Sequence, residues 1–166
     1  FLDFFLGANC FFCISTGSGW DTIPIIFRRP VMYVNFLPIF APSALALPIT
    51  IYPKILEDWT SSSALSFQEM TTKNIASSYK SADYLDAGVK IRDLRSDELV
   101  ESVTEMAQRV EGKFVEASEQ KEIQLKLKHI LSTHPKLQPS PSYYPIRAQF
   151  ASCFLSRYPN FFDGLG

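Results

Sequence analysis

The sequence predicts an α/β fold: a parallel sheet flanked by helices, with further helices toward the C-terminal end. Three observations carry that expectation. Short apolar runs at Cys10–Ser15, Pro30–Asn35 and Leu47–Tyr52 have strand length and are apolar on both faces, as in a buried parallel sheet. The first run breaks into the loop Ser15-Thr16-Gly17-Ser18-Gly19, and a helix-like segment follows at once. Charge is unevenly spread: residues 1–53 carry only Asp3, Asp21, Arg28 and Arg29, while residues 54–128 hold most of the rest. The first third therefore reads as a sheet region and the remainder as solvated helices.

Taken in order, Phe1–Ala8 has the apolar density of a short helix ending near Gly7–Asn9. Cys10–Ser15 is expected as a strand in the middle of the sheet. Trp20–Phe27 is a short helix, with Pro24 in about its first turn, where a missing N–H is tolerated. Pro30–Asn35 is the next strand, Phe36–Leu45 a Pro-containing loop, and Leu47–Tyr52 a third strand closed by Pro53. Lys54–Ser63 is polar, and Leu65–Met70 starts a short helix. Ser77–Ala87 reads as irregular, and Val89–Arg92 as a short edge strand. Ser96-Asp97-Glu98 caps a helix with acids in its first turn. Leu99, Val103, Met106 and Val110 follow at helical spacing, and Gly112 stops it. Ala117–Thr133 is a second long amphipathic helix. Pro135–Pro145 holds four prolines and reads as an extended linker. Arg147–Arg157 is a last helix with Phe150, Phe154 and Leu155 as its apolar face. The organisation is thus a domain over 1–134, a linker over 135–146, and a helix and tail over 147–166.

The chain has 166 residues, 46% of them hydrophobic and 14% aromatic, which suits a folded domain with its own core. A net charge of −1 provides no global field toward nucleic acid or anionic lipid. Val31 to Tyr52 contains no charged residue, but Pro38, Pro42 and Pro48 interrupt it, so two buried strands joined by a Pro-rich loop explain it better than a membrane span. Cys10-x-x-Cys13 has no second pair to complete a zinc site, and with Cys153 it reads as a set of free thiols in a reducing cytoplasm. Phe1, Phe4, Phe5, Phe11 and Phe12 are expected in the core. The opening Phe1-Leu2-Asp3 has no initiator Met and no basic leader, so the chain is expected to be the C-terminal part of a longer polypeptide.

The chemistry lies at the Ser/Thr/Gly loop. A strand ending in small and hydroxylated residues before a helix presents backbone N–H groups to an anion, on the scale of a nucleotide diphosphate. Asn35 and Pro38 follow the next strand's C-terminal end, where ligands of α/β sheets gather. Asp21 matters for sign: pointing inward it would oppose a diphosphate, and pointing away it would be harmless. Arg28 and Arg29 sit at the far end of the short helix, which favours a surface role. His129 and His134 flank a helix end and read as solvated or capping.

In their order, certain segments resemble a family of GT-B glycosyltransferases associated with bacterial surface polysaccharides. They are Phe1-Leu2-Asp3, Leu6-Gly7-Ala8-Asn9-Cys10, Phe12-x-Ile14-Ser15-Thr16-x-Ser18-Gly19, Phe27-x-x-Pro30-Val31, Val34-Asn35-x-x-Pro38, Leu65-Ser66-Phe67-x-Glu69 and Leu94–Gly112. The resemblance covers most of the chain but only the C-terminal, Rossmann-like, donor-binding half of such an enzyme. It implies transfer of a sugar from a nucleotide-sugar to a glycan or lipid-linked glycan acceptor. Ser15, Thr16, Gly17, Ser18, Gly19 and Trp20 would surround the donor diphosphate, with Asn35 and Glu69 nearer the nucleoside or sugar. Asp21 and Thr22 would lend N–H groups at the helix start. It implies neither metal nor other cofactor, an acceptor and catalytic base supplied by an N-terminal half of the same polypeptide, and a cytoplasmic setting that extends to the periphery of the inner membrane. The Trp20-Asp21 pair departs from the small or apolar residue usual after the family loop. Two rival expectations are a non-catalytic α/β interaction module, whose loop is only a turn, and a membrane-peripheral scaffold using the apolar first third.

Overall fold

The structure is a computed structural model that describes residues 1–133 and 146–162. It shows the expected α/β architecture. A four-stranded parallel sheet has the order β1 (Cys13–Ser15), β2 (Val31–Phe36), β3 (Ile49–Pro53) and β6 (Gln149–Phe150). Helices α1 (Leu2–Asn9) and α2 (Thr22–Ile26), which precede and follow β1 in the chain, pack on each other, and the short α3 (Pro42–Leu45) follows β2. Beyond β3 the chain forms β4 (Ile55–Asp58), α4 (Phe67–Thr72), α5 (Ser81–Asp86) and β5 (Val89–Arg92). The long helices α6 (Ser96–Val110) and α7 (Ser118–Thr133) come next, and α8 (Ser152–Arg157) with a 3-10 turn at Pro159–Phe162 closes the described chain.

Strands β2 and β3 are buried almost throughout, with Met32, Ile51 and Tyr52 wholly enclosed. That is why their sequences show runs and no alternation. Phe150 and Phe154 extend this core into an aromatic group, with Phe154 lying 5.3 Å from the Tyr52 ring and 4.9 Å from the Phe161 ring. Helix α6 is the amphipathic helix expected, and Gly112 ends it with φ +71°. Among the described residues no helix is long and apolar enough to cross a membrane, and Val31–Tyr52 is two strands joined through α3.

Several expectations are corrected. β1 is an edge strand, not a central one, and Ile14 is exposed on it. An apolar run does not reveal whether a neighbour covers both of its sides. The polar stretch after Pro53 contains β4, in which buried Ile55 and Leu56 pair antiparallel with Arg92 and Ile91 of β5. Two apolar residues between charged flanks make too short a pattern to announce a strand. The expected last helix over Arg147–Arg157 divides: Gln149 and Phe150 pair with Thr50 and Ile51 of β3, and only Ser152–Arg157 is helical. Ser81–Asp86 is a helical turn where irregular chain was expected. The N-cap position of α6 is Arg95, whose N–H donates to the Glu98 carboxylate at 2.7 Å, so Ser96 already lies inside the helix.

The largest correction concerns the N-terminal aromatics. Phe1, Phe4, Phe5 and Phe11 are exposed, not core, and only Phe12 packs partly against the core. Helix α1 seats through Gly7, where an added Cβ would stand 2.6 Å from an Ile23 methyl. A contact built on the one residue without a side chain leaves the large side chains of α1 facing outward. The proline-rich segment Pro135–Pro145, with His134, lies outside the described residues.

Candidate functional site

The loop after β1 is held from beneath by Asp21. This residue precedes α2 and is only 3% exposed. Its Oδ1 accepts hydrogen bonds from Ser15 Oγ at 3.0 Å and from the Gly19 N–H at 2.9 Å. Its Oδ2 accepts a short hydrogen bond from the Tyr33 hydroxyl on β2. Ser15 Oγ in turn accepts from the Gly17 N–H at 3.0 Å. Burial alone would push the Asp21 carboxyl upward, but the donors from Tyr33, its own and Gly19's backbone N–H, and Ser15 outweigh this and hold it below the usual carboxylate range. Tyr33 is pushed well above the ordinary phenol range, first by burial and then by the carboxylate it donates to.

Two glycines make this geometry accessible. Gly17 has φ +82° and Gly19 φ +94°, conformations that cost other residues energy. At Gly17 the approach is also close: a Cβ would stand 2.9 Å from the Phe36 ring. The result is a loop whose residues Thr16 to Trp20 are exposed while its anchors, Ser15 and Asp21, are drawn inward.

Above the C-terminal ends of β1 and β2 lies an open crevice of about 230 Å³. Thr16 and Gly17 form one wall and Leu37, Pro38 and Ala41 another, with Tyr33, Phe36 and Tyr79 adding aromatic surface. Among the described residues no charged side chain lines it. A second cavity of about 200 Å³, between Pro30, Pro48 and Arg109, sits at the opposite, N-terminal ends of the strands, away from the position ligands of α/β sheets occupy.

The loop residues named from the sequence are thus divided. Thr16 and Gly17 reach the crevice, and Ser18 and Trp20 stand exposed beside them. Ser15 and the Gly19 N–H are engaged with Asp21, so they brace the loop. Pro38 joins the crevice, but Asn35 turns its carboxamide to the fold: with φ +51°, it accepts the Leu94 N–H on Oδ1 at 2.7 Å. Glu69 forms the capping box of α4, its carboxylate accepting the Ser66 N–H at 2.7 Å. Arg29 lies away from the loop, its Nε donating to the Ala8 carbonyl. Asp21 points inward, the orientation that sets a negative charge behind the loop.

Sequence reasoning did not single out Tyr33, Phe36 and Tyr79. Tyr33 was within reach once the strand register was known, because Ser15 and Tyr33 are partners across β1 and β2. Tyr79 carries no such signal, since the chain between α4 and α5 brings it to the crevice. Among the described residues no group of three or more His, Cys, Asp or Glu side chains is arranged to hold a metal ion. Comparison of the chain with protein-family models, with curated proteins and with solved structures finds no match.

Proposed function

We propose that this chain is the donor-binding half of a GT-B-type glycosyltransferase that moves a sugar from a nucleotide-sugar to a glycan acceptor. The observation that supports this reading best is the crevice at the C-terminal ends of β1 and β2, where Thr16 and Gly17 meet Pro38 and Tyr79. An uncharged, partly aromatic crevice suits a nucleoside or sugar, with the diphosphate held at its mouth by main-chain N–H groups and the hydroxyls of Thr16 and Ser18. Charge on the leaving nucleoside diphosphate grows as the glycosidic bond breaks. Fixed N–H donors at that position then stabilise the transition state more than the ground state. The acceptor and the catalytic base belong, in this reading, to another half of the polypeptide. The free thiols Cys10, Cys13 and Cys153 agree with a reducing, cytoplasmic setting.

Calorimetric titration with UDP, GDP, ADP and CMP tests this. Saturable binding of one nucleotide is expected, weakened by Ser18→Ala and abolished by Gly17→Val, which places a branched side chain against Phe36. A folded chain that binds none of the four overturns the reading. That result would favour a non-catalytic α/β module, which the closed set of bonds among Ser15, Gly17, Gly19 and Asp21 also fits, because the loop is satisfied without a ligand.

A further inference from the structure

We propose that Asp21 is the positioning residue of the ligand loop: an internal carboxylate that fixes Ser15–Gly19 from beneath, so that a ligand meets only the outer donors at Thr16, Ser18 and Trp20. The inference rests on the donor-binding reading and deepens it.

Buried carboxylates are costly unless paired, and they usually stand against a cation. The other buried carboxylates among the described residues, Glu98 and Glu105, each receive an arginine at 2.8 Å, from Arg92 and Arg109. Among the described residues, Asp21 receives no cation. Its partners are a serine hydroxyl, a tyrosine hydroxyl and a loop N–H, all neutral. Those partners come from the end of β1, from the loop itself and from β2. A single carboxylate therefore ties together the three pieces whose relative placement defines the crevice wall. Through Ser15 it also orients the Gly17 N–H. The donors committed to Asp21 are unavailable to a phosphate, and the charge behind the loop repels one. The loop is consequently shaped by its own anion before any ligand arrives, which reduces the ordering that binding requires.

The lock has a readout that does not need the nucleotide, because Trp20 precedes Asp21 directly. In a Trp59→Phe background, Trp20 fluorescence reports the loop. The titratable groups facing Asp21 are Tyr33 on β2 and Cys13 on β1, with Cys10 acting through Cys13; the Tyr33 and Cys13 acids are both shifted upward and stay protonated under acid conditions. The loop is ordered at neutral pH and opens as pH falls through the Asp21 value, below the ordinary carboxylate range. Tyr33→Phe removes one donor to the carboxylate and moves this midpoint upward. Asp21→Asn abolishes the transition, because the amide does not titrate. Hydrogen exchange at Gly17 and Gly19 accelerates in the same variant, while β2 and β3 stay protected.

An unmoved midpoint in Tyr33→Phe, or a transition that persists in Asp21→Asn, overturns the proposal. If the fluorescence transition behaves as stated but the wild-type chain binds none of UDP, GDP, ADP or CMP, the lock stands and the donor reading falls.

Discussion

The two edges of the sheet are finished in opposite ways. At the β6 edge, Gln124 of α7 acts as a substitute strand: its Nε2 donates to the Phe150 carbonyl at 2.5 Å and its Oε1 accepts the Phe150 N–H at 3.1 Å. Next to it, the Glu105 carboxylate accepts the Ser152 and Cys153 N–H groups at 2.9 and 2.8 Å, and Arg109 meets that carboxylate at 2.8 Å while its guanidinium lies over Phe114. At the β1 edge no further strand is present among the described residues, Ile14 is exposed, and α1 turns Leu2, Phe4, Phe5 and Leu6 outward. Closing a sheet edge within one chain takes buried polar side chains with every partner in place. Among the described residues the β1 edge has no such side chain in place of a neighbouring strand, and it keeps apolar surface beside the Ser15–Gly19 loop. Buried polar closure therefore lies on one side of the sheet, and the Ser15–Gly19 loop on the other.

Breaking the closed edge should cost most. Glu105→Ala leaves two N–H groups at the start of α8 without their acceptor and Arg109 with Glu116 as its remaining carboxylate, and about 3–5 kcal/mol should be lost in urea unfolding. Gln124→Leu keeps the volume but exposes the β6 main chain to an apolar side chain, an expected loss of about 2 kcal/mol in the same assay. Losses below about 0.5 kcal/mol for both would show that the edge does not depend on these side chains.

A pH scan sharpens the contrast through Glu98, the wholly buried acid at the start of α6. Burial pushes its carboxyl up, but Arg92, Tyr158 and the Arg95 N–H more than reverse this and hold it at about 2. A depressed acid stabilises the fold above its unfolded value and loses that contribution as pH falls through the folded one. Stability should therefore decline between the ordinary glutamate range and about pH 2, and Glu98→Gln should flatten that part of the profile while lowering stability at neutral pH. A wild-type slope unchanged in the variant would assign the acid sensitivity to other carboxylates.

The smallest effect is expected at the open edge. Phe4→Ser with Phe5→Ser should change stability by no more than about 0.5 kcal/mol, because side chains 59% and 55% exposed contribute little packing. The same pair should lower self-association in sedimentation, since contiguous exposed apolar surface drives it. A large loss of stability would mean that α1 packs more closely than its exposure indicates.

What the sequence revealed followed from local pattern. The runs of β2 and β3, the periodic Leu99, Val103, Met106 and Val110 of α6, and the Ser/Thr/Gly loop are each written in one stretch of chain. What it concealed depends on pairing across the chain. Gln149 and Phe150 make a strand only because β3 offers them an edge, and two residues have no period to detect. Asp21 becomes a brace only when Tyr33 arrives from β2. The exposed phenylalanines mislead for a related reason: hydrophobicity records a need for cover, not the identity of the cover.

The join between β6 and β3 also has a consequence during synthesis. Gln149 Nε2 reaches the Thr50 hydroxyl across 99 residues, and the Leu45 carbonyl receives the N–H groups of Arg147 and Ala148. At roughly 5–20 residues per second, a ribosome that has made β3 needs on the order of 5–20 s to reach its neighbour. Throughout that interval Ile49–Pro53 stands as a bare apolar template, open to any extended peptide nearby. A nascent chain stalled before residue 149 should be the species that chaperones hold most tightly, and emergence of Phe150 should release it.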